Sequence, residues 1–263
     1  KKEEKGQVKN ILIQDNPGLH FHQSAEGIWI YANEVATLNI NTCFVLNWTE
    51  LAEKFIENRK RYYGNFSNLI DEIKRIRAGG KEFARAYLNK LYGLQVLDDH
   101  QWVNVTCMTL PNSFGLCVFD EQGAGKTVTL IYAFDVLVER DEVDFALIIA
   151  PKSMISEWPF DFNRFMSDSY KVQTLTGSQA EKRKILSNKA DIVVTNFETA
   201  VTMEQELQAI LRKHSSRGII VIDESFFAKN LDAKRTQAIR RLREYCGRAF
   251  VLCGTPAPNS AID

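Results

Sequence analysis

An α/β fold, with a parallel sheet covered by helices on both faces, is the class predicted for residues 93–263. A small α+β domain is predicted for residues 1–92. Three observations carry this reading. Apolar runs of four to six residues recur at 116–119, 145–150, 172–175, 192–195, 219–222 and 250–253. Helical patterns fill the gaps at 128–140, 154–165, 179–186, 204–213 and 233–245. Near-continuous apolar strands alternating with helices imply a parallel sheet buried on both faces. Third, polar and acidic residues stand just after each run, where such sheets bind ligands.

The first part of the chain has a different rhythm. Short β-type runs at 8–14, 19–23, 27–31 and 35–40 are separated by turn signals such as Asn16-Pro17-Gly18, and they read as a small antiparallel sheet. Thr49 suits a helix N-cap, and a helix to about Tyr62 is expected after it. Gly64-Asn65 is expected to break that helix. A second helix then covers 67–77, Gly79-Gly80 breaks again, and a third reaches Tyr92.

Composition narrows the function classes. The 263 residues suit one large domain or two smaller ones, and 45% apolar residues can build a sizeable core. Formal charge balances to zero, so net charge does not advertise nucleic acid. Between Glu53 and Lys90, however, ten basic residues face five acidic ones. That excess fits either a phosphate-binding face or a solvated helix. The five cysteines (Cys43, Cys107, Cys117, Cys246, Cys253) form no Cys-x-x-Cys pair, which argues against a zinc site or disulfide framework. Cys117 and Cys253 lie in apolar runs and are expected to be buried thiols. A reducing, intracellular setting (cytoplasmic, or nuclear in a eukaryote) is expected, with no membrane segment.

The run Asp120-Glu121-Gln122-Gly123-Ala124-Gly125-Lys126-Thr127 lies between the predicted strand 116–119 and the helix 128–140. A strand, a glycine-rich turn and a helix make a phosphate-binding loop. Gly123 and Gly125 let successive N–H groups turn inward, and the helix adds its positive end. Gln122, Gly123, Ala124, Gly125, Lys126, Thr127 and Val128 are therefore candidate nucleotide contacts. Lys126 would reach the outer phosphates and Thr127 would hold Mg²⁺. A plain glycine-rich turn before a helix is the bland alternative. The strand 219–222 ends in Asp223-Glu224. Asp223 suits the second Mg²⁺ contact, and Glu224 suits a general base for an attacking water. Loops with Lys152-Ser153 and Thr195-Asn196 follow two other runs. They suit either nucleic-acid phosphates or helix N-caps. Gly254-Thr255-Pro256 forms a stiff corner after the last strand.

Taken together these segments resemble helicase superfamily 2, and within it the Swi/Snf-like DNA-translocating ATPases. Residues 120–127 are similar to that family's Asp-Glu-Met-Gly-Leu-Gly-Lys-Thr, so Asp120 is ordinary for it. Ala150-Pro151-Lys152-Ser153 with Trp158 resembles motif Ia. Val194-Thr195-Asn196-Phe197-Glu198 resembles motif Ib. Asp223-Glu224-Ser225-Phe226, continuing to Lys229-Asn230, resembles motif II, and Gly254-Thr255-Pro256 resembles motif III. Leu97-Asp98-Asp99-His100-Gln101 resembles the segment that reads adenine, with Gln101 pairing through an amide fork. The resemblance covers about residues 94–261.

The resemblance implies a RecA-like P-loop NTPase lobe, the first of two, that uses ATP and Mg²⁺ to move on duplex DNA. It implies backbone contacts from Lys152, Ser153, Thr195 and Asn196, and coupling through Gly254 and Thr255. It also implies a second RecA-like lobe with an arginine finger, which lies outside these residues. The isolated lobe is therefore expected to turn over ATP hardly at all. An RNA or strand-separating helicase is one alternative. A nucleotide-binding interaction module without turnover, with a protein partner on residues 1–92, is another. Phe226 keeps the last alternative alive, because the family has histidine there, linking the nucleotide site to motif III.

Overall fold

Buried β-branched strands dominate the fold, which was obtained as a computed structural model describing residues 20–23, 28–31, 50–88, 96–111, 113–214 and 217–254, with side chains from Gly64 onward. The chain falls into two compact units, Lys1–Asp71 and Glu72–Asp263.

In the first unit, β1 (His20–Gln23) and β2 (Ile28–Tyr31) pair antiparallel, with His20 opposite Tyr31. The expected strands at 8–14 and 35–40, and the Thr49 cap, lie outside the described residues. Helix α1 (Glu50–Tyr87) begins in this unit and runs through Gly64 without interruption. This corrects the break expected there. A helical glycine costs only about 1 kcal/mol relative to alanine, too little to stop a helix with good formers on both sides. Gly80, in contrast, leaves helical geometry at φ 63°, ψ −157°, so the second expected break survives as a kink.

The second unit contains six parallel strands in the order β3-β8-β7-β4-β6-β5. They are β3 (Gly115–Val118), β4 (Phe145–Ala150), β5 (Val172–Thr174), β6 (Ile192–Asn196), β7 (Gly218–Asp223) and β8 (Arg248–Leu252). Around them lie α2 (Asp99–Met108), α3 (Lys126–Glu139), α4 (Glu157–Met166), α5 (Gln179–Ser187), α6 (Phe197–Thr202), α7 (Glu204–His214) and α8 (Lys234–Arg243). The sheet's apolar runs are continuous because both faces are covered. On β4, Ala146, Ile148 and Ala150 join a core that includes Phe134, Leu137, Trp158 and Phe162. Phe145, Leu147 and Ile149 point the other way, into a core with Phe197, Leu207, Leu211 and Leu242. Helix α2, and the short α6 and 3₁₀ turn at Ser225–Ala228, are elements that the alternating pattern does not predict.

Cys253 is buried as expected, but Cys117 is exposed. The reason is its strand. β3 is an edge, paired only to β8 among the described residues, so an apolar run there does not guarantee burial. The same edge explains Gly115. At φ 150°, its added Cβ would lie 1.8 Å from the Ala249 carbonyl oxygen of β8.

Two glycines therefore make opposite predictions for urea unfolding. Gly115→Ala should lower stability by at least about 3 kcal/mol, because backbone must move. Gly64→Ala, exposed and with nothing within 4 Å of the new methyl, should raise it by about 0.5–1 kcal/mol. Equal midpoints for the two variants would contradict the assignment of their backbones.

Candidate nucleotide site

The loop after β3 turns on two glycines in the left-handed region, Gly123 at φ 84° and Gly125 at φ 74°. Gly125 is the N-cap of α3 and offers no side chain, so the first N–H groups of α3 are uncapped from their own chain. Uncapped N–H groups at a helix start form an anion site. Thr127 sits half-buried in that first turn, and Val128 packs on the core beneath it. Lys126 Nζ curls over the loop and donates to the carbonyls of Asp120 (3.0 Å) and Glu121 (2.9 Å).

Helix α2 braces this loop from the side. Asn104 Nδ2 donates to Asp120 Oδ2 at 2.6 Å, which gives Asp120 a structural reason to replace a glycine. His100 Nε2 lies 2.9 Å from the Ala124 carbonyl oxygen. Gln101 is buried, and its amide nitrogen donates to the carbonyls of Ala124 (3.2 Å) and Gly125 (3.4 Å). Its Oε1 accepts from the Asp98 N–H at 2.8 Å. A Cβ on Gly125 would sit 2.2 Å from that amide nitrogen, so glycine is required there for packing as well as for φ. The Gln101 carboxamide thus ties the Ala124-Gly125 end of the loop to the start of α2, a bracing role the sequence did not predict. Reading adenine would need those bonds to exchange.

The acid pair lies two strands away in the sheet, at the same carboxyl-end rim. Asp223 ends β7 in register with Leu252 of β8. It is 4% exposed, and burial pushes its carboxyl up to about 6 from an ordinary 3.8. The charge of neighbouring Glu224 pushes the same way. Buried Trp158 of α4 donates from Nε1 to Asp223 Oδ2 at 3.2 Å and opposes the shift, as does the Lys126 charge. The sequence singled out Trp158 only by resemblance; its indole N–H on the carboxylate needs the fold to bring residues 65 apart together. Glu224 follows in the left-handed region at φ 50°, ψ 62°, an uncommon conformation for a glutamate that points to local strain. Gly254 follows β8 and lies against the loop: a Cβ there would be 3.4 Å from Lys126 Nζ and from the Gln122 nitrogen. Thr255 lies outside the described residues.

Phe226 stacks on Phe227 with ring centroids 4.4 Å apart, and Phe227 tilts against Phe197 at 5.6 Å. Lys152 and Ser153 are exposed in the turn after β4. Thr195 and Asn196 are not: Thr195 is fully buried in β6, and the Asn196 side chain caps α6 by accepting from the Thr199 N–H at 2.8 Å. Of the two uses left open, Asn196 shows the cap, while the buried Thr195 hydroxyl caps no helix. Lys152, Lys182, Asn196, Glu198 and Thr199, with Ile155 and Leu175, line a cleft of about 670 Å³, with Lys182 Nζ donating to Thr199 Oγ1 at 3.0 Å. Lys182 and Thr199 were invisible to motif spacing.

No cluster of three or more His, Cys, Asp or Glu occurs among the described residues. The donors present suit Mg²⁺ all the same, since that ion takes one or two carboxylates, a hydroxyl and substrate phosphates rather than an all-protein cage. Thr127 and Asp223 offer that set.

Residues 29–263 match the family described as SNF2-related domain. The chain belongs to this family. It is 26% identical over 172 residues to the ATP-dependent helicase FUN30 of Saccharomyces cerevisiae, covering 62% of this chain and 15% of that protein. It is 24% identical over 231 residues to the Caenorhabditis elegans SWI/SNF-related regulator of chromatin subfamily A containing DEAD/H box 1 homolog, covering 82% of this chain and 22% of that protein. A solved structure, the Sulfolobus solfataricus SWI2/SNF2 ATPase core in complex with dsDNA, shares the fold at TM-score 0.52 and 24% identity, over 62% of this chain and 33% of that one. The SNF2-related chain therefore has the RecA-like fold expected of it, and it spans less than a quarter of those two relatives. No described helix is long and apolar enough to cross a membrane.

Burial of Asp223 makes the stability of the chain depend on pH. Its folded pKa lies above the unfolded one, so its contribution to stability is fully present below about pH 4 and is lost as pH rises through about 6. Without Mg²⁺, Asp223→Asn should melt above the parent chain at pH 8, by about 1–3 kcal/mol. The gap should close near pH 4. With Mg²⁺ and ATP the order should reverse at pH 8 if Asp223 is a ligand of the ion. A variant less stable than the parent at pH 8 without Mg²⁺ would contradict this reading.

Proposed function

We propose that this SNF2-related chain is the ATP-binding lobe of a motor that hydrolyses ATP to move along duplex DNA. The supporting observation is the meeting of three segments at one sheet edge: the Gly123–Gly125 loop with Lys126, the Asp223-Glu224 pair, and Gly254 between them. Phosphates would lie on the N–H groups of α3 and under Lys126, which would exchange its bonds to Asp120 and Glu121 for phosphate oxygens. Mg²⁺, held through Thr127 and Asp223, would supply charge neutralisation on the outer phosphates. Trp158 would keep Asp223 oriented through Oδ2, leaving Oδ1 for the ion. Glu224 would accept the proton of the attacking water.

The duplex would run past the exposed Lys152 and Ser153 and the cleft lined by Lys182, with contacts to phosphate rather than to bases. Thr195 and Asn196 would act there by shaping the loop, not by reaching out. A second RecA-like lobe would complete the cleft and supply an arginine, worth about 10³–10⁵ in rate in related phosphoryl transfer. Gly254 and Thr255 would carry the nucleotide state across. Residues 1–92 would serve as an accessory domain that binds a protein partner, and the protein would work inside the cell.

Steady-state ATP turnover with duplex DNA, single strands and RNA tests this. In the two-lobed protein, duplex DNA should stimulate turnover most, and Glu224→Gln should lower it at least about 100-fold. The lobe alone should show almost none. Stimulation by RNA alone would replace the track. ATP binding without turnover on any nucleic acid would make the chain a nucleotide-controlled binding module.

A further inference from the structure

In this chain the position after Ser225 is phenylalanine, whose ring has no hydrogen-bond donor and is occupied in stacking on Phe227. Glu224 nonetheless has a partner. The thiol of Cys253, fully buried at the end of β8, donates to Glu224 Oε2 across 3.8 Å. The adjacent Gly254 lies against the phosphate loop, at Lys126 Nζ and the Gln122 nitrogen. Two consecutive residues at one strand end therefore touch the acid on one side and the loop on the other.

We propose that Cys253 is the positioning residue for Glu224, and that its thiol makes the connection between this strand end and the acid pair that Phe226 cannot make. The inference rests on the reading of Glu224 as the base. Glutamate has three side-chain torsions, and here it is half-buried on a left-handed backbone. A single donor on Oε2 selects one rotamer and leaves Oε1 free to face a water. A thiol is a weak donor but is directional, and its burial excludes water as a competing partner. The strand fixes the sulfur: Leu252 makes the last pair of β8 with Asp223, and the next N–H, that of Cys253, is held by the Val118 carbonyl at 3.1 Å.

Two measurements test this. The first is the infrared S–H stretch of the chain. One band should vanish in Cys253→Ala and shift in Glu224→Gln, the other buried thiols serving as internal references. The second is turnover in the two-lobed protein. Cys253→Ala should lower kcat about 3- to 10-fold with KM for ATP unchanged, as expected for a lost weak hydrogen bond made at the reacting geometry. Cys253→Ser, which keeps a donor at the same place, should restore kcat to within about 2-fold. A merely structural cysteine would not split kcat from KM or distinguish serine from alanine. A band unmoved by Glu224→Gln, or wild-type kcat in Cys253→Ala, would overturn the proposal. Should Glu224→Gln itself retain turnover, the base assignment falls, and that result is distinguishable from a silent Cys253→Ala.

Discussion

Asp223 is a carboxylate buried at the carboxyl end of an interior strand of an apolar sheet, and the fold accepts the cost. Desolvation raises its pKa more than one indole N–H and the nearby ammonium lower it. A group kept at a loss to apo stability has its compensation elsewhere, and a cation is the natural one. The surroundings are arranged accordingly. Lys126 is close enough to feel the charge, Thr127 offers a hydroxyl in the first turn of α3, and Trp158 holds one oxygen.

The sheet order makes the meeting possible. β3, β8 and β7 are neighbours and run parallel, so their carboxyl ends deliver the Gly123–Gly125 loop, Gly254 and Asp223-Glu224 to one rim. These segments are separated in sequence by the whole of α3 to α7, or by α8, and no local preference brings them together. Each is then trimmed by contacts from outside the strands. Asn104, His100 and Gln101 hold the loop from α2, and Cys253 and Trp158 hold one carboxylate each. The helix α2 is tied in turn to the end of α1, where the Thr106 hydroxyl donates to the Ala84 carbonyl and Lys81 meets Asp99.

Much of this could be read before any coordinates. The six strands of the large sheet appear within a few residues of their predicted places, because double-sided burial forces apolar runs that stand out against polar helices. Gly123 and Gly125 take the positive φ that a phosphate loop requires. What escaped was contact between distant residues. Trp158 on Asp223, Lys182 on Thr199 and Cys253 on Glu224 are pairings of side chains, and spacing along the chain says nothing of them. Cys117 was misread because an apolar strand does not announce that it is an edge. Gly64 was misread because a helix with favourable residues on both sides absorbs one glycine. Asn196 and Gln101 show a further difficulty: a polar residue at a strand end or helix start can face a ligand or its own backbone, and both choices look alike in sequence.

The central claim is that the rim formed by β3, β8 and β7 is an ATP site completed by Mg²⁺. Titration of this chain with ATP by calorimetry, with and without Mg²⁺, tests it most directly, using Lys126→Ala and Asp223→Asn beside the parent. Binding should require Lys126 in all conditions, and the gain from Mg²⁺ should be present in the parent and missing in Asp223→Asn. ATP binding that is untouched by Lys126→Ala, or a Mg²⁺ effect that survives Asp223→Asn unchanged, would place the nucleotide elsewhere and contradict the account.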